Sequence, residues 1–139
     1  VDLETGLAKI VDALSASDVG QIINPIELKM QFEGGLGSAG MDTGHLEEFV
    51  LDPVLGRVMT HNMIDYKWRP FNELPRFDTV ALESRWPTAN PYGAIGIGEI
   101  TGAAGPAAVL MAIENAIGGA EINEYPATPD KILKALGKV

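Results

Sequence analysis

An α+β fold, a mixed sheet with two or three packed helices, is the class this sequence predicts. Three observations carry it. The 139 residues are 46% hydrophobic and 21% charged, a globular composition, and a chain this long can bury about two-thirds of its unfolded surface. Helical and strand patterns both occur, the first best developed at 102–118 and the second at 77–83. No internal repeat or linker interrupts them, so residues 1–139 read as one unit.

Taken in order, Val1-Asp2-Leu3-Glu4 reads as a strand and Thr5-Gly6 as a turn, which predicts a hairpin of 1–4 with 8–16. The chain opens as if entered mid-domain, which suggests a processed chain, a natural split subunit or an excised piece. Asn24-Pro25 with Glu27 is a helix start: Asn caps, Pro suits the first helical position, and Glu can reach back to the cap. That helix is expected to reach Gly34. Residues 34–44 hold glycine at 34, 35, 37, 40 and 44 and read as a loop. Strands are expected at 47–51 and 57–61 around a turn at 52–56, and at 77–83. Residues 66–70 form a polar-aromatic loop, in which Trp68 and Arg69 either shape a substrate entrance or pack at the surface. Thr88-Ala89-Asn90-Pro91 reads as a turn. In the helix at 102–118, Val109, Ile113, Ala116 and Ile117 make one apolar face, and Gly118-Gly119 ends it. Its N-terminus is expected to point at the preceding glycines, where free N–H groups favour an anion. A short strand is expected at 121–125 and a last helix at 129–136, ended by Gly137.

The stretch richest in chemistry is Pro91-Tyr92-Gly93-Ala94-Ile95-Gly96-Ile97-Gly98-Glu99. Glycines at 93, 96 and 98 allow a ligand to approach the main chain, and Glu99 closes the run. A carboxylate in a partly dry setting becomes a general base that works near neutral pH. The plain alternative is a tight turn with Glu at a helix start. A dinucleotide fingerprint is disfavoured, because it needs a strand before the glycines and a different spacing.

Other chemistries are excluded or weak. A net charge of −9 argues against nucleic acid and anionic membranes. No apolar run is long enough to span a membrane, and no secretory signal opens the chain. Cysteine is absent, so a disulfide framework, an iron–sulfur cluster and a thiolate metal site are excluded. His45 and His61 stand alone, too few for zinc. Glu47 and Glu48, adjacent on a strand, would face opposite ways. No serine lies in a nucleophile elbow, and no phosphate-binding loop is present.

Five motifs in order carry a family resemblance: Asp18-Val19-Gly20 with Asn24-Pro25; Gln31-Phe32-Glu33-Gly34-Gly35; Asp65-Tyr66-Lys67 with Leu74-Pro75; Tyr92-Gly93-Ala94 with Gly96-Ile97-Gly98-Glu99; and Pro126-Ala127-Thr128-Pro129. Together they resemble the molybdenum hydroxylases, the xanthine dehydrogenase and aldehyde oxidoreductase family, over the C-terminal part of the molybdopterin-binding subunit. The resemblance implies an oxidoreductase that hydroxylates an aldehyde or an N-heteroaromatic with water as oxygen source, with Glu99 as general base. It implies that 34–44 is a helix and loop packed against a molybdenum–pterin cofactor, which lies near Gln31, Ser38, Ala39, Gly40, Ile95, Gly96, Ile97 and Gly98, is shared with a partner chain or a missing N-terminal part, and takes no metal ligand from this chain. It implies a larger molybdopterin-binding chain, an iron–sulfur subunit and an FAD subunit as partners, so that iron–sulfur and FAD sit on other chains, in the cytoplasm. The chain departs from the family pattern at Ser38-Ala39-Gly40-Met41, where a Gln-Gly or Met-Gly pair is usual, and at Ile95, often Lys, Arg or Ser. A non-catalytic assembly subunit of such a complex is the alternative, and a stand-alone nucleotide-binding module is a further one.

Overall fold

In the computed structural model, which describes residues 1–84 and 90–139, strand β1 (Asp12–Asp18) pairs in parallel with β2 (Arg76–Leu82). The register sets Ala13 opposite Phe77 and Ser15 opposite Thr79 on the half-buried face. The expected hairpin of 1–4 with 8–16 does not form. Its turn exists, with Gly6 at φ +74°. However, the Asp2 carboxylate accepts the Glu4 and Thr5 N–H groups at 2.8 and 3.1 Å, which coils 1–6 into a local loop instead of a strand. A parallel pair needs a long crossover, and the segment between β1 and β2 supplies one with its own helices. Isolated antiparallel bridges, Gly20 to Ala94 and Leu51 to Val58, complete the pairing of the described residues.

Helix α1 (Pro25–Gly34) starts as its sequence dictates. Asn24 Oδ1 accepts the Ile26 and Glu27 N–H groups at 3.1 and 3.3 Å. Among the described residues only Asn24's half of the capping box forms. The chain then corrects the loop expected at 34–44. It stays helical through a π-helical turn, Gly35–Gly40, into α2 (Met41–His45). Glycine serves here to let backbones touch. A Cβ on Gly35 would strike Thr101 Oγ1, and one on Gly44 would lie 2.9 Å from the Pro106 carbonyl oxygen. In return, a Cβ on Gly102 would lie 2.7 Å from the Gly35 carbonyl oxygen, and one on Gly105 would strike the Gly40 backbone.

The helix expected at 102–118 is two: α3 (Ile100–Ala103) and α4 (Gly105–Ala116), broken at Ala104. The N-terminus of α4 is therefore packed against the π turn through Gly105 and against α2 through Pro106, and the glycine run leads into the single turn of α3 instead. Val109, Ile113 and Ile117 are buried as expected, with Met41, Ile122, Ala127 and Ile132. Ala116 is exposed, because it lies with Ala108 and Ala112 along an open groove beside 8–14. Helix α5 (Pro129–Ala135) follows Thr128, and Gly137 leaves it at φ +68°.

Three further expectations change. The arm 47–61 is a hairpin with one bridge, not two strands; its turn is fixed by Asp52 Oδ1, which accepts the Val54 and Leu55 N–H groups. Residues 121–125 form no strand, because Glu114 Oε1 captures the Ile122 N–H at 2.7 Å. The turn read at Thr88-Ala89-Asn90-Pro91 lies outside the described residues in its first half. Among the described residues no helix is long and apolar enough to cross a membrane.

Candidate functional site

The first half of the glycine run is pinned. Asp18 Oδ1 accepts the Gly20 and Ser84 N–H groups at 3.0 and 3.2 Å. Gly20, at φ +60°, lets 91–95 come in so close that a Cβ there would meet the Gly93 carbonyl oxygen. The Gln21 N–H donates to the Gly93 carbonyl at 2.8 Å, and the Ile95 N–H to the Val19 carbonyl at 3.0 Å. Asn90 closes the turn, with Oδ1 accepting from Tyr92 and Ala94 and Nδ2 donating to the Ala94 carbonyl at 2.6 Å.

The second half is held differently. Gly96 and Gly98 are exposed, neither has a positive φ, and a Cβ on either would meet nothing within 4 Å. Among the described residues, nothing in the packing asks for glycine at those positions. One long-range bond reaches them: Gln31 Nε2, on α1, donates to the Gly98 carbonyl at 2.6 Å. Glu99 follows at the N-cap position of α3, but its side chain makes no capping hydrogen bond. Glu99 thus stands at a helix start, as the plain alternative has it, and its carboxylate is exposed without capping that helix.

Two adjoining clefts result. In the first, of about 240 Å³, Glu99 stands with Gln31, Ser38, Ala39 and Gly98. The second, of about 380 Å³, is lined by Ile95 and Ile97 with Gln31 and Gly98 again. The structure thus brings together Gln31, Ser38, Ala39, Gly98 and Glu99, and sets Ile95 and Ile97 next door. Gly40 stands apart from this surface, buried against Gly105, because its role is helix packing. Gly96 is exposed and lines neither cleft. Glu99 is also exposed, so the dry setting expected around it is not supplied by the described residues alone. The Ser38 hydroxyl donates back to the Gly34 carbonyl at 2.6 Å, which leaves it an acceptor toward the cleft. Gly34, Gly35 and Gly102 complete the lining of the Glu99 cleft, and without a side chain none of them signals a site in the sequence.

Arg69 does not pack at the surface, and with Trp68 it lines a cleft beyond Ser38. It is buried, and its Nε lies 2.9 Å from Asp42 Oδ1, with its own N–H on Asp42 Oδ2 at 3.2 Å. The pair fastens 66–70 onto α2. No local pattern marks it, since the partners are far apart in the chain. Trp68 is half-exposed, stacks obliquely near Tyr66, and lines a separate cleft beyond Ser38. Glu47 accepts from Tyr66 and Thr43, and that bond pushes the Tyr66 phenol up to about 12. His45 is buried with Nδ1 unpartnered, and burial lowers its pKa. His61 is exposed. Among the described residues no group of three His, Cys, Asp or Glu is placed to hold a metal ion.

A family model described as a molybdopterin cofactor-binding domain matches residues 1–75. The chain belongs to that family. It is 30% identical over 135 residues to the aldehyde oxidoreductase molybdenum-binding subunit PaoC of Escherichia coli K12, covering 97% of this chain and 18% of that protein. It is 32% identical over 137 residues to the nicotine 6-hydroxylase large subunit of Paenarthrobacter nicotinovorans, covering 97% and 16%. Quinoline 2-oxidoreductase from Pseudomonas putida 86 superposes with a TM-score of 0.88 at 29% identity, over 99% of this chain and 17% of that one. This chain of the molybdopterin-binding family thus spans less than a fifth of the proteins it resembles. Its cofactor is the molybdenum–pterin group, and the residues present fit such a group. Gly98 presents main chain without a side chain to the cleft, and the polar side chains of Gln31 and Ser38 border it.

Proposed function

We propose that this chain forms one wall of the active site of a molybdenum-dependent hydroxylase that acts on an aldehyde or an N-heteroaromatic, with water as the oxygen source and Glu99 as general base. One observation carries the reading: the free carboxylate of Glu99 shares a cleft with Gln31, Ser38, Ala39 and the bare backbone of Gly98. The molybdenum–pterin group, when bound, supplies two-electron oxidation chemistry. Gly96 and Gly98 offer it main chain unshielded by side chains, as Ile95 and Ile97 exclude water from the adjoining cleft. Ser38, on the π turn, offers it a polar contact, and Gln31, on α1, borders the same space. Glu99 takes the proton released as the oxygen nucleophile attacks the substrate carbon, and holds it at a carboxylate oxygen.

Because Glu99 is exposed on this chain, the other walls belong to a larger molybdopterin-binding region or partner. Electrons then leave through an iron–sulfur subunit, with FAD on a further chain. Similarity to proteins named as a molybdenum-binding subunit and a large subunit supports such an assembly.

Substitution of Glu99→Gln in the assembled enzyme tests the reading, because it keeps shape and removes the base. Turnover is expected to fall by about 10²–10⁴-fold, with molybdenum content and folding unchanged. Near-normal turnover would refute the assignment. It would favour the second reading, a non-catalytic assembly subunit, for which the inward-turned hydroxyl of Ser38 speaks.

A further inference from the structure

The carboxylate that acts as base is the least supported part of its own loop. On its C-terminal side the Gly102 and Ala103 N–H groups bind the Glu99 carbonyl, each at 3.1 Å. On its N-terminal side lies Gly98, preceded by Ile97 and Gly96, and beyond the adjoining residues no described atom lies within 4 Å of where a Cβ would stand on either glycine. Glycine backbone that meets no neighbour is free to turn. The bond from Gln31 Nε2 to the Gly98 carbonyl, at 2.6 Å, is the one long-range hydrogen bond on that peptide among the described residues. That carbonyl belongs to the peptide plane joining Gly98 to Glu99. Fixing its direction fixes where the Cα–Cβ bond of Glu99 points.

We propose that Gln31 is the positioning residue of the general base: it acts through the Gly98 carbonyl and aims the Glu99 carboxylate. The proposal rests on the reading of Glu99 above. It gives Gln31 a task other than contact with the cofactor, and it explains why an amide donor sits at the shared wall of the two clefts. Misplacement of a reacting group by about 1 Å can cost on the order of 10²-fold, so the expected signature is a loss in kcat with KM little changed.

Two substitutions in the assembled, molybdenum-loaded enzyme separate this from a merely structural role. Gln31→Ala removes the donor, and kcat per molybdenum is expected to fall about 10–100-fold, by the same factor at every pH. Gln31→Glu is isosteric. Its carboxylate can only accept, so it faces the Gly98 carbonyl unfavourably, but once protonated it donates again. Glu27 and Glu99 are the titratable groups lining the same two clefts, and no Lys, Arg or His lines either. Both raise the proton affinity of the introduced carboxyl. The ratio of Gln31→Glu to wild-type kcat should therefore climb as pH falls from about 8 to about 5, while the Gln31→Ala ratio stays flat.

A double-mutant cycle distinguishes the two claims. In a Glu99→Gln background, adding Gln31→Ala is expected to cost nothing further, since the group it aims is gone. Additive losses would show Gln31 acting on its own and overturn the proposal, with the base assignment standing. So would loss of molybdenum with kcat per molybdenum unchanged, which makes Gln31 a cofactor contact, or wild-type kcat in Gln31→Ala. Near-normal turnover of Glu99→Gln alone would remove the base assignment and this proposal with it.

Discussion

Glycine is used in two opposite ways in this chain. At the helix seam, Gly35 and Gly44 face Thr101 and Pro106, and Gly102 and Gly105 face Gly35 and Gly40, with backbones so close that any Cβ collides. At the end of the loop, Gly96 and Gly98 face open space and have no conformational need for glycine. The seam glycines are explained by the chain itself. The loop glycines have no such explanation among the described residues, and both precede Glu99, the carboxylate of the cleft.

That contrast can be broken from the seam side first. Asp42 and Arg69 are both almost fully buried, with side chains 2% and 3% exposed, and Arg69 Nη2 already lacks a partner. Asp42→Ala leaves a buried cation uncompensated, a loss of about 3–5 kcal/mol, to be read as denaturant unfolding of the whole protein. A loss under about 1 kcal/mol, the range of an exposed ion pair, would mean the pair is not buried as described. Gly105→Ala comes next. Its methyl would strike the Gly40 backbone, and overpacking of this kind costs about 1–3 kcal/mol. Unchanged stability would deny the close seam.

The same seam carries a pH dependence. Burial, and then the charge of Arg69, hold the His45 imidazole below its ordinary value of 6.5. The unfolded chain binds that proton more readily than the folded one. Its contribution is therefore complete above the unfolded value and is lost as pH falls below it. Thermal midpoints of wild type should drop more steeply toward acid than those of His45→Leu, and parallel curves would contradict this. The smallest stability effect belongs to the loop. Gly98→Ala meets nothing within 4 Å in this chain, so stability should stay within about 0.5 kcal/mol, but cofactor content or turnover should fall. If stability falls instead and turnover does not, the two kinds of glycine are not distinct.

What the sequence disclosed follows from the range of each signal. Asn24-Pro25 marks a helix start by local chemistry, and α1 begins there. The apolar face Val109, Ile113, Ile117 is periodic, and it is core. By themselves the glycines at 34–44 suggest a flexible loop, because a glycine chosen for close helix packing and one chosen for flexibility look alike without their neighbour. The 1–4 strand failed because Asp2 offered its backbone a local partner, which a strand pattern does not register. Five of the expected site residues, Gln31, Ser38, Ala39, Gly98 and Glu99, do meet in one cleft, although α1 and the loop are far apart in sequence; the motifs had placed them on the same cofactor. The bond from Gln31 to Gly98 was not visible in any motif, because it joins a side chain to a carbonyl, and carbonyls leave no trace in a sequence.

The most direct test is a structure of the whole molybdenum-loaded protein, read at two places. The account predicts the Glu99 carboxylate within hydrogen-bond reach of the molybdenum centre, about 2.6–3.2 Å or one water away, with the cofactor against the main chain of Gly96 and Gly98. If those glycines are instead covered by another stretch of polypeptide and Glu99 points away from the metal, the account is wrong.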